Sequence, residues 1–196
     1  MPPKFKFTRE WIIDSAVNVV RKNGLSGLTA RGLAAELGSS AKPIFGLFQN
    51  MDEVQREVIN SANALYQSYL QRSMSENKYP PYKASGIAYI QFAKEEKELF
   101  KLLFMRDRTG EKIEEDREAV RPILEVLMQN LGLSEDEATL FHLESWIYVH
   151  GIATMLATAY LDWDMNFIIK SLTDVYEGLK HRYTGGQYRC LQSRRN

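Results

Sequence analysis

The chain has 196 residues, 44% hydrophobic and 26% charged, a balance that excludes a disordered polyelectrolyte and suits one domain or a small domain joined to a larger one. Net charge is zero, which excludes a dedicated polycation, but the charge is unevenly placed: residues 1–50 carry seven Lys/Arg against three acids, giving +4, and the remainder carries 18 against 22, giving −4. A small anion-binding head on an acidic body has this pattern, and so does chance.

In chain order almost every segment reads as helix. Thr8 caps a first helix to about Asn23, with Gly24 as its stop and Phe7 and Ile12 in hydrophobic-staple positions. Ile12, Ile13, Ala16, Val17 and Val20 share one face. Thr29 caps a short second helix with Leu33, Ala34 and Leu37 inward and Gly38 at its end. Ser40 is expected to cap a third, with Pro43 in its first turn, where a missing N–H does no harm. Asn50 and Glu53 form a capping-box pattern opening a longer helix to about Ser73, and the segment Glu76–Lys83, with Pro80 and Pro81, is a connection. Helices follow from about Tyr82 to Lys94, Lys97 to Met105, and Ile113 to Leu131, the last carrying Pro122 as a candidate kink. A second capping box, Ser134 and Glu137, opens a helix to about Tyr160, and a last one ends near Tyr183. The tail, 184–196, reads as disordered. The expected fold is all-α with about nine helices and no strand.

Three short helices in fifty residues, the last two joined by a tight turn at about 29–48, match the helix-turn-helix plan. The first two helices and the inner face of the third make a minimal core. The outer face of the third is then free to enter a major groove, its N-terminus at Ser39-Ser40-Ala41-Lys42 near phosphate. Thr29 is expected to offer a hydroxyl and a backbone N–H to another phosphate. Arg31, Phe45 and Gln49 complete the candidate DNA-binding set. A helical hairpin within a larger bundle has the same spacing.

Residues 7 to about 58 resemble the N-terminal DNA-binding domain of the TetR family of transcriptional regulators. The pattern is FTREWIIDSAVNVVRKNGLSGLTARGLAAELGSSAKPIFGLFQNMDEV. Ile12 and Ala16, Gly24, Thr29, the Leu33-Ala34 pair, Gly38 with Ser40, Phe45, Phe48 and the polar start at Asn50, Asp52 and Glu53 carry it. Three positions depart from the family's habit. Phe45 stands where a tyrosine often donates to phosphate, Leu47 where histidine is frequent, and Met51 where lysine is frequent. The segment ESWIYVHGIATMLATAYL resembles a C-terminal subtype with a Trp-x-x-x-His-Gly signature, here Trp146, His150 and Gly151. The resemblance divides the chain into a DNA-binding head (1–58), a ligand-binding and dimerisation body (59–183) and a tail. It implies double-stranded DNA bearing a palindromic operator, a homodimer through the last two long helices, and an unidentified small-molecule effector.

Small residues Gly151, Ala153, Ala157 and Ala159 are expected to let another helix approach closely, from a partner copy or from within the chain. Tyr66, Tyr89, Phe92, Phe100, Phe104, Met105, Trp146 and His150 are candidate ligand-pocket residues, although such side chains at helical spacing also make plain core. No catalytic residue, cofactor or metal ligand is expected. There is no Glu-x-x-His pattern, His142 and His150 are eight apart, and no Gly-rich phosphate loop or nucleophile elbow occurs. The lone Cys190 forms no internal disulfide, the opening MPPKFKFTRE lacks the apolar core of a signal peptide, and apolar runs are broken before membrane-spanning length, so a cytoplasmic location is expected. The alternative reading is a helical interaction protein whose head has weakened or lost DNA binding.

Overall fold

A computed structural model describes residues 7–107, 109 and 113–185, and within these there are nine α-helices and no strand. The first four are α1 (Arg9–Asn23), α2 (Ala30–Glu36), α3 (Lys42–Phe45) and α4 (Met51–Ser75). The next five are α5 (Pro81–Glu95), α6 (Lys97–Phe104), α7 (Ile113–Leu131), α8 (Glu135–Ala157) and α9 (Met165–Thr184). A 3-10 turn over Leu25–Gly27, not foreseen from the pattern, bridges α1 and α2. The expected tail lies outside the described residues beyond 185, as do Lys4, Lys6 and Cys190.

Side-chain caps fix most helix starts. Thr8 Oγ1 accepts from Trp11 N and Thr29 Oγ1 from Gly32 N. Ser134 and Glu137 form the full reciprocal capping box. Two expected caps differ. α3 starts one turn-residue later than foreseen, with Ala41 as its N-cap and no side-chain cap, so Ser40 does not cap it. At α4, Asn50 Oδ1 accepts from Glu53 N, but the Glu53 carboxylate accepts from Gln49 N at 2.7 Å, one residue before the cap. Arg9 holds Glu53 there. Its guanidinium donates to Glu53 at 2.8 Å, to Glu57 at 3.1 Å and to Leu47 O at 2.8 Å, and it lies over the Phe48 ring. α7 is continuous across Pro122.

The head packs Ile12, Ala16 and Val20 of α1 against Leu33 and Ala34 of α2, Ile44 of α3, Phe48, and Val54 and Val58 of α4. This cluster runs without a break into the body through α4 and α5. α5 buries Ala84, Ile87, Ala88, Tyr89, Ile90, Phe92 and Ala93, so it is apolar nearly all round and forms the centre of the body, packed between α4 and α8. A second, smaller core of Leu127, Leu133, Ala138, Phe141 and Tyr183 joins α7, α8 and α9.

α8 divides its small residues. Ala153 and Ala157 are buried within this chain, which assigns them to internal packing and not to an open partner face. Gly151 differs: a Cβ built there meets nothing within 4 Å. Leu140, Leu143 and Ile147 continue its face outward, with Ile147 60% exposed.

Candidate nucleic-acid interface and effector cavity

The α2–α3 joint is closed by backbone geometry. Gly38, at φ +59°, follows the C-cap Leu37, and Gly38 N and Ser39 N donate to Ala35 O and Ala34 O. This is the Schellman arrangement, and it requires a left-handed residue at Gly38. α3 is a short helix prolonged by a turn, with Leu47 N and Phe48 N both donating to Ile44 O. Ile44 and Phe48 are thereby fixed in the core, and Lys42 and Phe45 face solvent.

The eight candidate DNA-binding residues all lie at the surface of this joint. Thr29, Arg31, Ser40, Lys42, Phe45 and Gln49 are exposed, and Ser39 and Ala41 are half-buried. Phe45 is 49% exposed, an unusual placement for a phenyl ring on a small head. One expectation is corrected: the Thr29 backbone N–H donates to Gly27 O at 2.9 Å, so only its hydroxyl proton is available to a phosphate. The backbone N–H groups of Ser39 and Gln49 are similarly engaged. Leu47 and Met51, two departures from the family habit, pack partly buried against the core, so they serve packing at positions where polar residues would reach out.

Charge on the head is sorted by ion pairing. Arg9 is held by Glu53 and Glu57. Arg21 makes a two-pronged contact to Glu96 at 2.8 Å on each prong, and Lys22 reaches Glu36 at 2.8 Å. Of the five described cations in residues 7–50, only Arg31 and Lys42 form no ion pair or hydrogen bond with a described residue. Both belong to the α2–α3 surface. The sequence count of +4 therefore overstates the free positive charge and understates how well it is focused. The Arg21–Glu96 pair also straps α1 to the α5–α6 corner of the body.

In the body, seven of the eight candidate pocket residues form one aromatic cluster. Tyr66 meets Tyr89, Phe92 and Phe104 at ring separations of 5.3–5.9 Å, and Phe100 meets Tyr89 and Phe104 at 5.2 and 5.1 Å. Trp146 stacks on His150 at 4.7 Å, and His150 Nδ1 is 2.8 Å from the Tyr89 hydroxyl. Met105 lies outside these ring contacts and is largely exposed. Burial raises the pKa of both Tyr66 and Tyr89 and lowers that of His150. The ring separations are those of close aromatic packing, each pair adding roughly 0.5–1.5 kcal/mol to its area burial.

A cavity of about 260 Å³ lies elsewhere, between α5, α7, α8 and α9, and none of the eight candidates lines it. Its apolar wall includes Val126, Leu127, Val149, Leu172 and Val175, and Tyr82, Lys83, Ser145, Thr173 and Glu177 bring polar groups to it. Sequence reasoning passed over these residues because no one helix carries them. The sequence signal that could have found them is Lys83, a cation in the first turn of a helix that is uncharged from Ala84 to Ala93. Burial pushes the Tyr82 phenol up to about 12.

Among the described residues no group of His, Cys, Asp and Glu could hold a metal ion, and no helix is long and apolar enough to cross a membrane.

Residues 82–175 match the family model of the tetracyclin repressor-like C-terminal domain. A solved structure, that of a TetR-like transcriptional regulator from Rhodococcus sp. RHA1, is similar with a TM-score of 0.65 at 14% identity, covering 93% of this chain and all of the other. No curated protein matches the chain. Residues 82–175 thus resemble a tetracyclin repressor-like C-terminal domain, and the described residues have the all-helical fold of that neighbour. In general terms the two matches support a DNA-binding transcriptional regulator.

Proposed function

We propose that the chain is a cytoplasmic homodimeric repressor whose head, residues 1–58, reads a palindromic operator, and whose body, residues 59–183, releases it on binding a small effector. The observation that carries the DNA-binding surface is the sorting of charge. Three of five described head cations are neutralised by neighbours, and the two left over, Arg31 and Lys42, accompany the exposed Thr29, Ser40, Phe45 and Gln49 at the α2–α3 joint. Ser39 and Ala41 are small enough to let backbone approach phosphate. The outward stripe of Leu140, Leu143 and Ile147, continued by the open Gly151, supports pairing of α8 with its copy, α9 completing a four-helix interface.

Effector release would act by population shift. The DNA-bound dimer holds two heads at operator spacing, and the ligand favours another spacing. Two connections run from body to head: α4, continuous from Met51 to Ser75, and the Arg21–Glu96 strap. The cavity between α5, α7, α8 and α9 is the effector site in this reading. Phe45 favours a second reading, a head that meets a protein, since an exposed ring without a hydroxyl suits an apolar partner.

The salt dependence of binding to duplex DNA, followed by fluorescence anisotropy, tests the interface. Lys42→Ala and Arg31→Ala should each weaken binding and each lower the slope of log K against log salt by about one. Slopes equal to that of the unsubstituted protein would remove both residues from the interface and favour the second reading.

A further inference from the structure

The α5–α7–α8–α9 cavity is apolar on most of its wall and positive at one corner. There the Lys83 ammonium donates to Thr173 Oγ1 at 2.6 Å and lies 4.9 Å from the centre of the Tyr79 ring. It forms no ion pair with any described residue. The one carboxylate that lines the cavity, Glu177, stands at its rim with a 58% exposed side chain, 3.6 Å from Lys180. A half-buried ammonium held by a single neutral hydroxyl is an unbalanced charge, and such groups in a protein interior ordinarily have an anionic partner.

Two further features carry the same sign. Lys83 is in the first turn of α5, whose N-cap is Pro80 and which has no side-chain cap, so the N–H groups of Tyr82 and Lys83 and the positive end of the helix are left uncompensated beside the cavity. The Ser145 hydroxyl, next to the Tyr82 phenol, lines the cavity and is buried without a hydrogen bond of normal geometry. It brings a further hydroxyl to the same space. The cavity lies on the side of α8 opposite the exposed Leu140–Ile147 stripe, so pairing of α8 with its copy leaves it accessible.

We infer that this cavity takes an anionic ligand, a monocarboxylate with an apolar body. Its carboxylate lies on Lys83 Nζ, which Thr173 Oγ1 holds in place while donating its own proton to Ile169 O at 2.8 Å, and its chain runs among Val126, Leu127, Val149 and Leu172. The inference rests on the cavity being the effector site. At ~30 Å³ per water-sized unit, 260 Å³ holds roughly nine such units, the size of an eight-carbon acid.

The experiment is calorimetric titration of the full-length protein with octanoate, octan-1-ol and octylamine, repeated on Lys83→Met and Thr173→Val. Octanoate should bind roughly 10- to 100-fold more tightly than octanol, the range for a hydrogen bond to a charged group, and octylamine should bind weakest. Lys83→Met should bring octanoate down to the octanol affinity and leave octanol binding unchanged. That unchanged value also reports a folded cavity. Thr173→Val should cost octanoate roughly 2- to 10-fold. Equal affinities for octanoate and octanol, or an octanoate affinity untouched by Lys83→Met, would overturn the carboxylate assignment and leave the effector cavity standing. No binding by any of the three at millimolar concentration would overturn both.

Discussion

His150 is held on two sides and titrates below its ordinary value. Its Nδ1 meets the Tyr89 hydroxyl, its ring stacks on Trp146, and burial holds its pKa below the ordinary 6.5. His142, beside the Tyr82 hydroxyl at 3.4 Å, is lowered for the same reason. The unfolded chain therefore binds more protons than the folded one between the folded and unfolded pKa values, and stability must fall as pH drops through that window. The prediction is a urea midpoint that declines from pH 7.5 to 5.5, above the range where carboxylates titrate, with a smaller decline in His150→Gln. A wild-type midpoint that is flat or rises on acidification would contradict it. Residue identity alone showed His150 as a pocket candidate. It did not show that Tyr89 and Trp146 already satisfy it.

At the level of elements, the helices and their caps were largely legible because each cap is a local event. Thr8, Thr29 and Ser134 bond to N–H groups three residues on, within reach of any reading of the chain. The Ser40 cap failed because the Schellman turn at Gly38 delays α3, and the Asn50 cap formed but the return half of its box went to Gln49 N, with Arg9, 44 positions away, holding Glu53. Both causes are invisible in a short window. Two glycines of the head give opposite tests of local expectation. In a helix, Gly→Ala ordinarily gains about 1 kcal/mol. At Gly32, however, a Cβ would stand 2.5 Å from Gly27 O, so Gly32→Ala should destabilise by about 1–3 kcal/mol. Gly38→Ala meets nothing within 4 Å and should cost only its left-handed strain, about 1 kcal/mol. Urea unfolding of the two variants ranks them, and a Gly32→Ala protein more stable than wild type would refute the close approach.

For the whole molecule, the sequence pattern made the helices of residues 7–58 legible, while the cavity between α5, α7, α8 and α9 stayed hidden. The head is a contiguous stretch read at fixed spacing. The cavity gathers residues from four helices spread over nearly a hundred positions, from Pro80 to Glu177. Pairing of chains is likewise a property of a surface. Ala153 and Ala157 looked like contact residues by size and are core, whereas Leu140, Leu143 and Ile147, which the pattern did not single out, are exposed. If α8 pairs with its copy there, Ile147→Glu places like charges in the contact and should yield a monomer by sedimentation, still helical by circular dichroism. Its operator affinity should fall well below that of the dimer, because one head reads only one half-site. An Ile147→Glu protein that stays dimeric would move the interface elsewhere.

Both heads and the pairing of chains meet in a single measurement: selection of binding sites from random duplex DNA by the full-length protein, at two salt concentrations. The expected result is an enriched palindrome, two half-sites separated by about one helical turn or more, with enrichment weaker at the higher salt. Enrichment of a single half-site would contradict the dimer. No enrichment at either salt would contradict sequence-specific DNA binding itself and leave the exposed Phe45 surface as a contact for protein.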